Sequence, residues 1–510
     1  MSGPTRDEFV ALARDYTVVP VWREVLADLE TPVSAFAKLV GDREGFLLES
    51  VEHGEHWGRF SFIGRDPALT LVAHGHQVEI SGGATTPGLP RDRGILVALE
   101  ELLSWYRAPT LPDLPPFHGG LVGYLGYDVV REIERLPDVP SDDLGYPDAV
   151  LSLTGHVTAF DHFRQRLFLI ENVFVVPGAS ADDAGVAYDH AQARLDASVD
   201  ELARPLPYVP SAPPPEQLDE LPSFASTMPG GLFQAAVEAA REYIFAGDIF
   251  EIILAQRFDL DGDFDPFEVY RVLRQINPSP YMYFLAHREA TVVGSSPEAL
   301  VKLVDGRVIS RPIAGTRWRG RTDEHDRRMA AELIEDPKER AEHIMLVDLA
   351  RNDVGRVVRY GSERVDELMT LERYSHVMHM TSQVSGDLAD GKTAVDVLRA
   401  TFPAGTVSGA PKVRAMEIID ELEPKKRGPY AGVVGYFDFS GNLDTAITIR
   451  TMLWRDGRAS VSAGAGVVAD SDPDDENLEC HNKARALLTA AAAAQRLAPL
   501  DTLETGSGRP

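Results

Sequence analysis

Two pairs of glutamates give this sequence its clearest chemical signal: Glu339 and Glu342 in DPKERAEHIMLVDLARND, and Glu476 and Glu479 in DPDDENLECHNKARALL. Both segments read as helices, and a three-residue step sets the carboxylates of each pair on one face, about 5–6 Å apart at Cβ. Brought together, two such faces form an oxygen-only pocket suited to Mg²⁺, which keeps several waters and is completed by an anionic group of a substrate. Taken alone, either pair is more simply a solvated helix face, with Lys338, Arg340, Lys483 and Arg485 as surface partners. The neighbouring motifs have to decide.

TFPAGTVSGAPKVRAMEIIDEL joins a glycine-rich turn, Gly405–Gly409, to a helix with Pro411 at its first position. Backbone N–H groups there can seat a carboxylate, with Thr406 and Ser408 as hydroxyl donors, and a plain turn explains the stretch equally well. In SAGAGVV, Gly464 and Gly466 allow close approach of a ligand to the backbone. Arg450 lies in TAITIRTM, read as a strand, where an inward cation needs a carboxylate from the protein or from a substrate. Tyr430 could donate to the same ligand or to a backbone carbonyl. YSHVMHMTS alternates, so His376 and His379 point to opposite faces, and the one facing the acids could act as a general acid. Glu298 in GSSPEAL follows a strand end. GDLADGKT matches the Walker A pattern, but Asp387 and Asp390 would stand in the phosphate cradle and no βαβ alternation surrounds it. It reads as an ordinary strand-to-helix turn.

The elements that must position these residues change character along the chain. Before a stretch of eight prolines between Pro205 and Pro229, short segments such as GFLLES, FSFIG, LTLVAHG, GLVGYLGYDVV and RLFLIENVFVV read as strands. Beyond it helices are clearer, as where Phe233, Val237, Ala240 and Ile244 recur before Gly247, and strands follow one another without intervening helices. This order predicts an α+β fold with large antiparallel sheets and flanking helices, divided into 1–225 and 226–510. A net charge of −29 excludes a nucleic-acid footprint, and no apolar run is long enough to span a membrane. One cysteine, Cys480, and an N-terminus without a signal pattern fit a cytoplasmic protein.

The blocks GSSPEAL, RPIAGTR, DPKERAEH, LVDLARNDVGRV, TFPAGTVSGAPK, AGVVGYFDFSG and AGAGVVADSDPDDENLECHNKA, in this order, resemble the chorismate-utilising enzymes, and among them the anthranilate synthase component I group. The likeness spans the chain and is most specific over residues 230–487. It implies the two-lobed chorismate-utilising fold, with Mg²⁺ held mainly by Glu342 and Glu479, supported by Glu339 and Glu476, and bridging to the ring carboxylate of chorismate. It places Gly315, Thr316, Thr406, Tyr430, Arg450 and the backbone of Gly464, Ala465 and Gly466 on the substrate. Glu298 and His379 match catalytic positions, His379 assisting departure of the C4 hydroxyl. The lysine that para-aminobenzoate-pathway relatives use for covalent attack is Ala314 here, and the water-activating lysine of isochorismate- and salicylate-forming relatives is Glu251. Ammonia is therefore the implied nucleophile, with anthranilate and pyruvate as products. LLES and NPSPYM imply a tryptophan effector site at Glu49, Ser50, Pro280, Tyr281 and Met282. The one cysteine, Cys480, reads as a small core residue, so the resemblance implies a separate glutamine amidotransferase subunit, component II, as ammonia source, and a hetero-tetramer as the assembly. An aminodeoxychorismate synthase and a non-catalytic tryptophan-sensing subunit are the other readings.

Overall fold

The computed structural model describes residues 3–52, 56–86, 88–208, 211–214, 221–373 and 377–497. The fold is α+β: two antiparallel sheets, of 12 and 11 strands, lie face to face with helices against their outer sides. In the strand Arg166–Phe174, Leu167, Leu169 and Val173 enter the core beneath the helices, while Phe168 and Ile170 enter the core between the sheets. Successive side chains of a strand point to opposite faces, so a strand buried on both faces needs a continuous apolar run. That explains RLFLIENVFVV. Its two polar residues are buried but partnered: His156 and Arg194 meet Glu171, and Asn172 donates to the His118 carbonyl at 2.8 Å.

Both sheets are built from distant parts of the chain. The strand Gly45–Glu49 pairs with Phe60–Arg65 on one side and Tyr281–Ala286 on the other, and Gly120–Leu125 pairs with Val433–Asp438. Residue 225 lies within the edge strand Phe224–Ser226, which pairs with Glu251–Leu260. The segments 1–225 and 226–510 thus share both sheets, and neither closes a core by itself.

Three local readings change. GLVGYLGYDVV is a strand only to Leu125, after which Tyr127–Glu132 forms a 3₁₀ turn. Pro411 is the N-cap of the helix Lys412–Leu422, not its first residue. TAITIRTM is two strands, Leu443–Ile447 in one sheet and Thr451–Arg455 in the other, so the chain changes sheets at Thr448–Arg450. GDLADGKT is a turn, with Thr393 capping the helix Ala394–Thr401 and Asp390 paired to Arg359. Among the described residues no helix is long and apolar enough to cross a membrane.

Candidate active site

The two glutamate helices start alike. Asp336 caps Pro337–Gly355 and Asp472 caps Pro473–Ala494, each accepting from two backbone N–H groups, with proline at the first helical position. The glutamates follow within the first two turns, where the helix dipole favours negative charge. Burial raises the Glu342 carboxyl above its usual range, and Glu339 and Glu479 raise it further. Glu476 is raised by burial and again by Glu479. The two pairs therefore stand in each other's field through Glu342 and Glu479.

They are not gathered onto one point. Among the described residues no three acidic, histidine or cysteine side chains stand at metal-ligating spacing. Two cations draw them apart: Arg317 holds Glu339 at 2.8 Å and Lys483 holds Glu479 at 2.5 Å. Lys483 also donates to the Gly464 carbonyl at 2.9 Å and its charge favours the ionised forms of Glu251, Glu298, Glu342 and Glu476. Mutually repelling carboxylates, compensated in part by Lys338, Lys483 and Arg317, are a donor set that fits a hard divalent cation.

Beneath them runs the strand Arg458–Val467. Ala463, Ala465 and Val467 point into the core, which leaves Gly464 and Gly466 on the face toward the acids. A Cβ at Gly464 would lie 2.9 Å from the Tyr430 hydroxyl oxygen, and one at Gly466 would lie 3.0 Å from Glu251 Oε1. Bare backbone is thus what this face offers, and Ala465 contributes no side chain to it. Glu251 is pushed up to about 7, first by burial and then by Glu342.

Arg450 occupies the crossing between the sheets with φ of 50°, in the left-handed region. Burial lowers its pKa, against the fields of Tyr430, Glu479 and Glu298. Of the two partners open to it, the protein carboxylate is not found: among the described residues no acid lies within ion-pair distance. Tyr430 is buried, and its hydroxyl likewise makes no hydrogen bond with a described residue. A guanidinium and a phenol with unmet donors, each in the other's field, can receive a planar carboxylate.

On the adjoining wall, Thr406 donates to Glu298 Oε1 at 3.0 Å, and burial pushes the Glu298 carboxyl up to about 7. Ser408 is spent elsewhere, donating to the Ala404 carbonyl at 2.8 Å. His379 sits opposite Thr316 in the ladder between Ile313–Trp318 and Val377–Asp387, with a bulge at Gly315. Its Nδ1 lies 3.3 Å from the Gly315 carbonyl and 3.0 Å from Thr316 Oγ1. A carbonyl only accepts, so the proton belongs on Nδ1. Burial lowers the His379 pKa, which favours the neutral imidazole. Gly315 has φ of 68°, and a Cβ there would meet Glu339 Oε2 at 2.9 Å. His376 lies outside the described residues.

Ser50, Glu49, Pro280, Tyr281 and Met282 all line a separate cavity of about 450 Å³ between the sheets. Aromatic rings of Phe60, Phe62, Tyr283 and Tyr436 face it, and Lys302 and Asp444, 3.1 Å apart, lie at its edge. Glu49 is committed to the protein: Tyr270 donates to it at 2.6 Å and Arg274 at 2.7 and 2.9 Å.

Lys483, which reads in the sequence as a surface partner, instead bridges Glu479 and the Gly464 carbonyl. Its position four residues after Glu479 was the available signal, since that step returns to the same helix face. Glu251 stood out only as a departure from a relative's lysine, and its proximity to Glu342 needed the fold.

The family model for chorismate binding enzymes matches residues 49–489. Anthranilate synthase component 1 of Mycolicibacterium smegmatis is 48% identical over 508 residues, covering 97% of this chain and 94% of that one. The Acetivibrio thermocellus protein of the same name is 44% identical, covering 96% and 98%. Among solved structures, anthranilate synthase component I from Streptococcus pneumoniae TIGR4 superposes with a TM-score of 0.74 at 36% identity, covering 91% of this chain and 99% of that one. The menaquinone-specific isochorismate synthase of Escherichia coli shares the fold, with a TM-score of 0.67 at 18% identity, covering 94% and 97%.

Proposed function

From the premise that this chain belongs to the chorismate-binding enzymes, within their anthranilate synthase component I group, we propose that it converts chorismate and ammonia to anthranilate and pyruvate. The observation that carries this reading is the part-buried Arg450 guanidinium, without an ion-pair partner among the described residues, in the fields of Tyr430, Glu298 and Glu479. A cation so placed favours an anion delivered to it. Chorismate is a dicarboxylate, so one carboxylate can pair with Arg450 and Tyr430 while the other faces the acidic end. Glu342 and Glu479, with Glu339 and Glu476 behind them, would hold Mg²⁺, which when bound supplies a Lewis-acid partner for the second carboxylate.

The remaining groups position protons. Substrate carboxylates beside His379 would restore the imidazolium that burial disfavours, giving an acid for the departing C4 hydroxyl. Glu298, fixed by Thr406 and titrating near neutrality, can carry a proton in either direction. Ala314 is buried and offers no amine to attack the ring, which leaves external ammonia as nucleophile. Ammonia would come from a separate amidotransferase subunit, because Cys480 is fully buried and its thiol is pushed up to about 12. The 450 Å³ cavity, aromatic inside and charged at its edge, suits tryptophan as a feedback inhibitor.

The test is incubation of the purified chain with chorismate, Mg²⁺ and ammonium, read by anthranilate fluorescence. Fluorescence should appear with ammonium, disappear on chelation of Mg²⁺, and fail with glutamine alone. Absence of product with ammonium, or substantial glutamine turnover by the single chain, would refute the reading.

A further inference from the structure

The strand Glu251–Leu260 meets the glycine face through its ladder with Arg458–Val467, and its other edge is interrupted among the described residues. On that edge Gly409–Ala410 pairs with Glu251 and Ile252, and Phe224–Ser226 pairs with Phe258–Leu260. Buried backbone groups between these two patches need other partners, and two side chains supply them. Glu423 Oε1 accepts from the Ala255 N–H at 2.8 Å, and Arg427 Nη2 donates to the Ile253 carbonyl at 2.7 Å. Ile253 and Ala255 are the residues opposite Gly466 and Gly464 in the ladder. The two side chains form a forked pair, with Nε donating to Oε2 at 2.8 Å and Nη2 to Oε1 at 2.5 Å, and both are buried.

Arg427 also reaches two further walls of the site. Its Nη1 donates to the Val407 carbonyl at 2.6 Å, next to Thr406 in the glycine-rich turn. Its guanidinium carbon lies 5.9 Å from the centre of the Tyr430 ring and 4.7 Å from that of Tyr127, within cation–π range. Burial raises the Tyr430 pKa, and Arg427 is foremost among the groups that oppose the rise, which strengthens the phenol as a donor. Exchanging a buried ion pair for apolar groups is often neutral for stability, so the contribution of this pair is direction. Resting on the chorismate reading above, we propose that Arg427, clamped by Glu423, is a positioning residue. It fixes Tyr430, the turn at Thr406 and the strand opposite Gly464 and Gly466 relative to one another, so that the Tyr430 hydroxyl meets a chorismate carboxylate.

The experiment measures initial rates of anthranilate formation by the full-length chain with Mg²⁺, varying chorismate and ammonium in turn. Arg427→Lys keeps the charge and loses the fork. The KM for chorismate should rise about tenfold, the size of one lost hydrogen bond to a charged group, while the KM for ammonia stays that of the parent. Tyr430→Phe should raise the chorismate KM in the parent and add little in the Arg427→Lys background, because residues that act as a unit are not additive. Where Arg427→Lys does not fold, Glu423→Gln/Arg427→Met takes its place, since removing both charges together costs far less than stranding one. An unchanged chorismate KM in a folded variant would overturn the proposal. So would effects at Arg427 and Tyr430 that simply multiply, because Arg427 then acts independently of the phenol. A loss confined to the saturated rate, or failure of both variants to fold, would assign the pair to the scaffold and overturn it too. No anthranilate from the parent at any ammonia concentration would instead overturn the amination reading, and calorimetric binding of chorismate to parent and variant then tests the positioning role alone.

Discussion

Replacing Arg450 with methionine should move stability and catalysis in opposite directions. In the ligand-free chain this guanidinium is part-buried, meets no carboxylate of a described residue, and receives only the partial compensation of Tyr430, Glu479 and Glu298. Replacing buried ion pairs or triads by apolar side chains of similar volume is often neutral or stabilises by about 1–4 kcal/mol, and a single part-buried charge without an ion-pair partner should fall at the low end, about 1 kcal/mol. The left-handed backbone at this position is common to both variants, so it cancels. With substrate bound the balance reverses, because the fork then pairs with a carboxylate that also screens it from water. Removing one partner of such a pair costs about 2–5 kcal/mol, or roughly 30- to 5,000-fold in kcat/KM for chorismate. Arg450→Lys should recover only part of that, having charge without the planar fork. Denaturant unfolding of the ligand-free protein and initial rates with ammonium measure the two quantities. A methionine variant that is less stable than the parent, or one whose kcat/KM lies within about threefold of it, would refute the reasoning.

Glu298→Gln tests the effect of burial on the carboxyl. Its folded-state pKa of about 7 lies above the unfolded value of about 4.3, so between these pH values the folded chain holds a proton that the unfolded chain releases, and stability falls as pH rises. The glutamine variant should gain stability over the parent at pH 8 and lose that advantage near pH 4; parallel unfolding curves at both pH values would contradict this. Ser50→Phe places a benzyl group in the 450 Å³ cavity and should weaken tryptophan inhibition by about tenfold or more, with uninhibited turnover largely kept. Unchanged inhibition curves would remove the effector assignment. Glu342→Gln and Glu479→Gln should each raise the Mg²⁺ needed for half-maximal rate by at least the roughly 10- to 100-fold that loss of an outer partner costs. Identical Mg²⁺ titrations would argue against both as ligands.

Much of this was legible before any coordinates. The strands with continuous apolar runs were recognisable because both faces of each sheet are covered, and Asp-Pro marked the start of each glutamate helix. The position of Arg450 was not legible, since Ile, Thr and Met on either side have the composition of one strand while the chain turns between two sheets. Nor could sequence show that Glu49 is spent on Tyr270 and Arg274, more than two hundred residues away, or that Lys483 faces inward. Local pattern reports what an element can bury; it does not report which distant charge arrives beside it.

The pairing of Gly45–Glu49 with Tyr281–Ala286 bears on how the molecule is made. The earlier strand leaves the ribosome more than two hundred residues before its neighbour is synthesised. At about 5–20 residues per second the wait lasts roughly 10–50 seconds, during which an apolar edge stands without its partner. Assembly must therefore be largely post-translational, and the nascent N-terminal half is a natural client for chaperones.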